Sequence, residues 1–471
     1  MAAQPRVAVP EAIWREYDVR GVAGTDLTPA LARLLGTAFG RLTRERGAGA
    51  EVLVGRDNRV SSPELAAGVI EGLRDAGLAV CDLGQVTTPV FYFARLHLGI
   101  EPGVMVTASH NPGSENGFKL ALGRGTLVGA EITGLGAEVR RLASEGIPAP
   151  SGPRPAVRQA DVLPAYYADM ARRIRLPRPL HVVVDCGNGT ASPISPEVFR
   201  RLGCRVTELF CTSDPTFPNH HPDPVRPENL RALIALVHET GADLGIGIDG
   251  DGDRIGAVAD DGRILWGDEL MMLFWREILP AHPGSPVLVE VKCSQALWDD
   301  AASHGGRPFF HRTGHSHIKA TLYARDLPFA GELSGHLFFH DEFPGYDDAT
   351  YAAARLARLV GASGRPLSEL AAALPRYPST PEVRVRCADD VKFDVVERLR
   401  AHFAAQHEVV AVDGARVLFP QGWGLVRASN TQPVLVLRAE GRDEAALAAI
   451  CAELEAALAA QPEVGPVSWA G

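Results

Sequence analysis

The sequence is short of the cysteine patterns that staple a chain or bind zinc. Seven cysteines lie singly between Cys81 and Cys451, with no C-x-x-C pair. An odd number of scattered thiols argues against a disulfide framework and for free thiols in a reducing compartment. Long apolar runs are missing as well, since no stretch reaches the about 20 residues that a membrane-spanning helix requires. The opening MAAQPRVAVPEAIWREYDVRG has acids and prolines where a signal peptide has its apolar core, so a cytoplasmic protein is expected. Positive charge is not in excess either. A formal net charge of −10 argues against a nucleic-acid surface, and any phosphate-binding site must gather its basic residues locally.

What is present is a globular composition, 46% hydrophobic and 22% charged, over 471 residues. That length suggests three or four domains. One pattern occurs three times. Residues 52–54 (VLV) run into Gly55-Arg56-Asp57-Asn58-Arg59, a helical stretch and LAVCDLG. Residues 181–184 (HVVV) run into Asp185-Cys186-Gly187-Asn188-Gly189, a helix ending near Gly203, and CRVTELF. VLVEV runs into Lys292-Cys293-Ser294, a helix to about Gly306, and PFFHRT. Each reads as β–loop–α–β with a continuously apolar first strand, as a buried parallel sheet requires. Beyond the YPSTP linker the texture changes to alternating strands such as EVRVRC and a final Ala/Leu/Glu helix, an α+β unit. The expected architecture is three similar mixed-sheet α/β domains, 1–152, 153–257 and 258–373, followed by an α+β domain, 374–471.

Four short segments carry chemistry. Asp249-Gly250-Asp251-Gly252-Asp253-Arg254 follows the apolar LGIGI. Alternate residues of a tight extended loop face one side, so three carboxylates can converge on one hard cation. The alternative is a solvated acidic turn. An EF-hand loop is disfavoured, because its sixth position holds Arg254 and its twelfth Asp260. Thr107-Ala108-Ser109-His110-Asn111-Pro112 follows GVMV. Its serine either caps a helix or stands in an exposed loop, and Pro112 with the glycines that follow favours the loop. Lys119 comes soon after. Gly331-Glu332-Leu333-Ser334-Gly335-His336 offers donors and acceptors for vicinal hydroxyls, and Arg427-Ala428-Ser429-Asn430-Thr431-Gln432-Pro433 offers an anion cradle. Each of these last two serves equally as an ordinary polar turn.

Taken together and in order, TASHNP, DGDGDR, GELSGH and RASNTQP resemble the four signatures of the α-D-phosphohexomutase family, most closely its bacterial phosphomannomutase/phosphoglucomutase branch. The resemblance runs from Glu16-Tyr17-Asp18-Val19-Arg20-Gly21 through Thr313-Gly314-His315 and Gly345-Tyr346-Asp347-Asp348. It implies four domains around a cleft and a phosphoserine at Ser109 that shares one Mg²⁺ with Asp249, Asp251 and Asp253. It implies that Arg254 lies near that phosphate, and that Lys119 and His336 are the candidate general bases. Glu332 and Ser334 would contact sugar hydroxyls. Arg427, Ser429, Asn430 and Thr431 would hold the phosphate not being transferred, with Tyr17, Arg20, Lys292 and His315 as further contacts. The implied substrates are hexose 1- and 6-phosphates, with hexose 1,6-bisphosphate as intermediate and activator, acted on by a monomer or weak homodimer without nucleic-acid or membrane partners. Leu333 resembles the mannose/glucose branch, whereas glucosamine enzymes tend to a polar residue there. A metal-dependent phosphatase and a non-catalytic sugar-phosphate module are the competing classes.

Overall fold

The computed structural model describes residues 7–148, 152–429 and 432–469. The chain packs as two compact units, 1–266 with 334–369 and 267–333 with 370–471.

The first unit contains two sheets of related design. In one, Glu51–Arg56 pairs in parallel with Ala79–Gln85 and Gly103–Val106. Glu115–Leu122 then returns antiparallel along Gly103–Val106 and pairs on its far side with Val19–Val22. In the other, His181–Asp185 pairs in parallel with Arg205–Leu209 and Leu244–Ile248, and Ile255–Ala259 returns antiparallel along Leu244–Ile248. The first two sequence repeats are the parallel β–α–β halves, with helices Ser62–Asp75 and Ser195–Arg201 as crossovers. Their first strands are buried along almost their whole length, as their continuous apolar runs require. The two chemically distinctive loops, 107–114 and 249–254, occupy the same place in each sheet, where a parallel strand ends and its antiparallel return begins.

Residues 334–369 rejoin this unit through main-chain bonds. The Ile255 N–H donates to the Gly335 carbonyl at 3.1 Å, and the Ala349 N–H to the Gly252 carbonyl at 3.1 Å. Helix Ala349–Ser363 is capped by Asp348, which also accepts a bond from the Tyr166 hydroxyl at 2.9 Å. His336 and Asp347 are thereby carried to a loop more than 80 residues away in sequence.

In the second unit the third repeat is the parallel pair Pro286–Glu290 and Arg307–His311 with helix Gln295–Ser303 between. The C-terminal sheet is antiparallel throughout, in the order Val383–Arg386, Val434–Gly441, Gly422–Ala428, Ala415–Phe419, Glu408–Val410. Val383 and Val385 are buried while Arg384 and Arg386 are exposed, the alternation that marks a strand with one wet face. Helices Lys392–Ala404 and Glu444–Ala459 cover its apolar face through Leu399, Phe403, Ile450 and Leu454. All seven cysteines are free, and no described helix is long and apolar enough to cross a membrane.

Candidate active site

Ser109 sits in the turn between Gly103–Val106 and Glu115–Leu122, so a strand follows it and the helix-capping alternative falls away. The exposed loop expected there is exposed only at its tip, Pro112 to Ser114, whereas Ser109 itself is 2% exposed. Its φ of +52° is a conformation that residues with a Cβ adopt rarely, and it persists only where surrounding bonds over-determine it. Those bonds begin with the Ser109 N–H, which donates to Thr107 Oγ1 at 3.0 Å. The Ser109 hydroxyl donates to Asp249 Oδ2 at 2.6 Å and lies 3.2 Å from His110 Nδ1.

The aspartates of the acidic loop are buried rather than part of a solvated turn: Asp249, Asp251 and Asp253 are each 0% exposed. Asp249 shapes it, because its Oδ1 accepts from the backbone N–H groups of Gly252, Asp253 and Arg254 at 3.0–3.1 Å. Asp251 Oδ2 accepts from Thr88 Oγ1 at 2.7 Å, Thr107 Oγ1 at 3.2 Å and Lys119 Nζ at 2.8 Å. Lys119 Nζ also donates to Asp253 Oδ2 at 2.5 Å. The Thr88 N–H donates to the Asp251 carbonyl at 2.9 Å, so the positive end of helix Thr88–His97 faces the loop. Gly250 is required by close approach, since a Cβ there would stand 2.4 Å from the Ser109 carbonyl oxygen.

These groups fit a hard cation. One oxygen from each of the three carboxylates lies within 4.8 Å of the others. Asp251 Oδ1 and Asp253 Oδ1 are buried and accept no hydrogen bond, a costly state for a carboxylate oxygen without a counter-charge. The electrostatics agree. Burial, reinforced by Asp253 and Asp251, pushes the Asp249 carboxyl well above its usual range. For Asp251 the same burial is outweighed by Lys119, and its carboxyl is held below its usual range. Burial opposes the Lys119 charge too, but Asp251 and Asp253 overcome it and keep the ammonium protonated.

Arg254 and His336 meet beside this cluster, with Arg254 Nε donating to His336 Nε2 at 2.9 Å. The other imidazole nitrogen lies 2.9 Å from Asp347 Oδ2 and 3.7 Å from Asp253 Oδ1. His110 Nε2 is 3.4 Å from Arg254 Nη1, and burial with the nearby Arg254 and Arg20 keeps that imidazole neutral. Arg20 binds Asp18 Oδ2 at 2.6 Å and Asn111 Oδ1 at 2.7 Å, which ties it to the serine loop. Tyr17 and Ser334 are half-buried members of the same unit.

The second unit brings together another set. Glu332 Oε1 accepts from the Gly314 N–H at 2.6 Å, beside His315 at the start of helix His315–Arg325. The Thr313 N–H donates to Asp413 Oδ2 at 3.0 Å, and Arg427 Nε donates to the same oxygen at 3.0 Å. Gly414 makes this possible with φ +77°, for a Cβ would stand 2.6 Å from that of Arg427. Lys392 Nζ donates to the carbonyls of Ser429 and Gln432 at 2.6 and 3.0 Å, closing the base of the loop; Asn430 and Thr431 themselves lie outside the described residues. Of the basic residues named above, Arg20, Lys119 and Arg254 belong to one unit and Lys292 and Arg427 to the other.

Lys292 is fixed by Glu382, 3.2 Å from its Nζ. Burial would raise the Glu382 carboxyl, but Lys292 and Arg384 overcome it and lower its pKa from 4.5 to about 2. A carboxyl depressed on folding adds stability above its unfolded pKa, and loses it as pH falls through the folded value. Glu382→Gln should therefore cost about 1–3 kcal/mol at pH 7 by stranding the Lys292 charge. The difference in Tm between mutant and wild type should narrow as pH falls below about 4.5; a difference that is unchanged or wider at pH 3.5 would contradict the ion pair.

Sequence reasoning assigned no role to Asp347, Asp413 or Glu382. Each lies against a named site residue across at least ten intervening positions, so spacing carries no trace of it. It also passed over Arg59, although the repeated loop containing it was visible.

Comparison with known proteins shows the family of the chain. Profiles of phosphoglucomutase/phosphomannomutase alpha/beta/alpha domains I, II and III match residues 11–141, 164–262 and 266–377, and the profile of the C-terminal domain matches 382–457. A phosphomannomutase/phosphoglucomutase of Pseudomonas aeruginosa is 43% identical over 94% of this chain and 95% of that protein. A phosphoglucomutase of Neisseria gonorrhoeae is 40% identical over 96% of this chain and 98% of its own length. The crystal structure of a phosphoglucomutase/phosphomannomutase family protein from Burkholderia thailandensis superposes with a TM-score of 0.90 at 41% identity, covering 98% of this chain and all of the other. Likeness at that level over both units leaves one placement: the chain belongs to the phosphoglucomutase/phosphomannomutase family of α-D-phosphohexomutases.

Proposed function

We propose that the chain interconverts 1- and 6-phosphates of mannose and/or glucose through a phosphorylated Ser109. The observation that carries this reading is the Ser109 hydroxyl, 2.6 Å from Asp249 at the edge of a buried three-carboxylate cluster. Phosphoserine 109 would transfer its phosphoryl group to the free hydroxyl of a hexose monophosphate. The bond to Ser109 Oγ breaks as the bond to the sugar oxygen forms, and the sugar proton passes to a basic side chain. The resulting hexose 1,6-bisphosphate turns over and returns its other phosphoryl group to Ser109. Lys119, held as an ammonium by two carboxylates, suits charge stabilisation and donation to an oxygen. His336, whose Nδ1 lies 2.9 Å from Asp347 Oδ2, is the candidate for proton acceptance.

Asp249, Asp251, Asp253 and the phosphorylated Ser109 would hold a cation, for which the all-oxygen donor set favours Mg²⁺. Such an ion supplies charge neutralisation at the phosphoryl oxygens. Tyr17, Arg20 and Arg254 would act on the same end of the substrate as Ser109. Glu332, Ser334, Lys292 and His315 would bind the sugar, and Arg427, Ser429, Asn430 and Thr431 the other phosphate. The division into four domains, a cytoplasmic location, a monomer or weak homodimer, and the absence of nucleic-acid partners belong to the same reading.

The test is ³¹P NMR of the protein with Mg²⁺, a trace of glucose 1,6-bisphosphate, and mannose, glucose or glucosamine 1-phosphate. The 6-phosphates of mannose and glucose should accumulate with little inorganic phosphate, and glucosamine 1-phosphate should react more slowly in keeping with Leu333. Release of phosphate without an isomer would make the chain a phosphatase instead. Arg427→Ala should lower kcat/KM about 10- to 100-fold for 1- and 6-phosphates alike, the loss of charge-assisted bonds worth about 1.5–3 kcal/mol. Phosphorylation of Ser109 should persist in that variant, and a loss confined to one substrate orientation would contradict the assignment.

A further inference from the structure

We propose that Arg59 is a positioning residue for the phosphoryl-carrying turn, an inference that rests on the reading of Ser109 as the carrier. Its guanidinium is 1% exposed and all five of its N–H donors are used. Nε donates to Asp57 Oδ2 at 3.1 Å. Nη1 donates to the carbonyls of Pro112 and Glu115 at 2.6 and 3.0 Å. Nη2 donates to the carbonyls of Ser109 and Asn111, each at 2.7 Å. One planar cation therefore gathers four carbonyl oxygens of a single seven-residue turn.

The effect falls on the strained residue. At φ +52° the Ser109 carbonyl must be held in place, and it lies between the Arg59 guanidinium and Gly250 of the acidic loop. The neighbouring Asn58 extends the same scaffold. Its N–H donates to Thr190 Oγ1 at 3.1 Å and its side-chain amide to the Asn188 carbonyl at 2.8 Å. The Thr190 N–H in turn donates to the Gly250 carbonyl at 2.9 Å. The turn after Glu51–Arg56 thus grips the serine loop with Arg59 and, through Thr190, the acidic loop with Asn58. It sets the distance between Ser109 Oγ and the carboxylates, a distance on which phosphoryl transfer depends steeply. Lysine cannot replace this fork, because it is a point charge with three donors and no planar geometry.

Arg59→Lys should reduce kcat about 100-fold, the order expected when a reacting group shifts by about 1 Å. KM for glucose 1-phosphate should change less than about threefold, since the Arg59 guanidinium is buried and its donors are used within the protein. Phosphoryl uptake by Ser109 from glucose 1,6-bisphosphate, followed by intact-protein mass spectrometry, should slow by the same factor as kcat. Amide hydrogen exchange across residues 109–117 should quicken while the rest of the chain is unchanged. Should Arg59→Lys not fold, Asp57→Asn leaves the four carbonyl bonds of Arg59 in place and removes the charge opposite Nε, while its remaining oxygen can still accept from the Arg59 N–H and the Ser62 hydroxyl, and a roughly 10-fold loss in the same uptake step is expected. Normal uptake in both variants, or a loss in KM alone, overturns the assignment. Wild-type protein that never acquires a phosphoryl group overturns the proposed function and this inference together, whereas normal uptake by the variants overturns this inference alone.

Discussion

Ser109→Ala is expected to lower kcat/KM by about three orders of magnitude or more, the effect of removing a covalent route. The variant should also acquire no phosphoryl group from glucose 1,6-bisphosphate, where wild type gains one. The structural argument is that alanine removes the oxygen and little else. The turn is held by its carbonyls and by Thr107, so the loop keeps its shape without the hydroxyl. The protein itself loses the 2.6 Å bond to Asp249 and the 3.2 Å contact with His110 Nδ1. Stability should accordingly change little, and mannose 1-phosphate should bind nearly as before. An alanine variant with more than a tenth of wild-type turnover would show that Ser109 does not carry the group.

Removal of the cation should have an effect of similar size. Chelation should abolish turnover and added Mg²⁺ should restore it. Asp251→Asn should weaken Mg²⁺ binding, measured by calorimetry, and lower kcat by at least about 100-fold. The replaced carboxylate would supply one of three buried oxygens to the cation, and it also anchors Lys119 and receives Thr88 and Thr107. Asparagine preserves the shape and part of this bonding, so the protein should stay folded. It leaves the Lys119 ammonium with Asp253 as its remaining carboxylate partner. Full turnover in excess chelator, or unchanged Mg²⁺ affinity in Asp251→Asn, would contradict the role of the acidic loop.

The sequence by itself determined much of this protein. Apolar first strands, repeated polar loops and crossover helices announced the three β–α–β units, because strand burial and helix periodicity are local properties of a chain. Alternation in EVRVRC announced the wet-faced C-terminal sheet for the same reason. Ser109, the three aspartates and Arg427 were legible because each lies in a short motif whose residues must be neighbours in sequence. Tertiary structure alone decided what those motifs meet. It placed the serine loop at a hairpin rather than a helix start, buried a serine whose loop was expected to be exposed, and lodged Lys119 between two aspartates more than 130 positions away. It returned residues 334–369 to the first unit, so that His336 meets Arg254 while Glu332 remains with Gly314. It also gave Arg59 four carbonyl partners that no spacing encodes. Those contacts come from packing that buries polar atoms together, and a buried donor or carboxylate is stable only with a partner supplied from elsewhere in the chain.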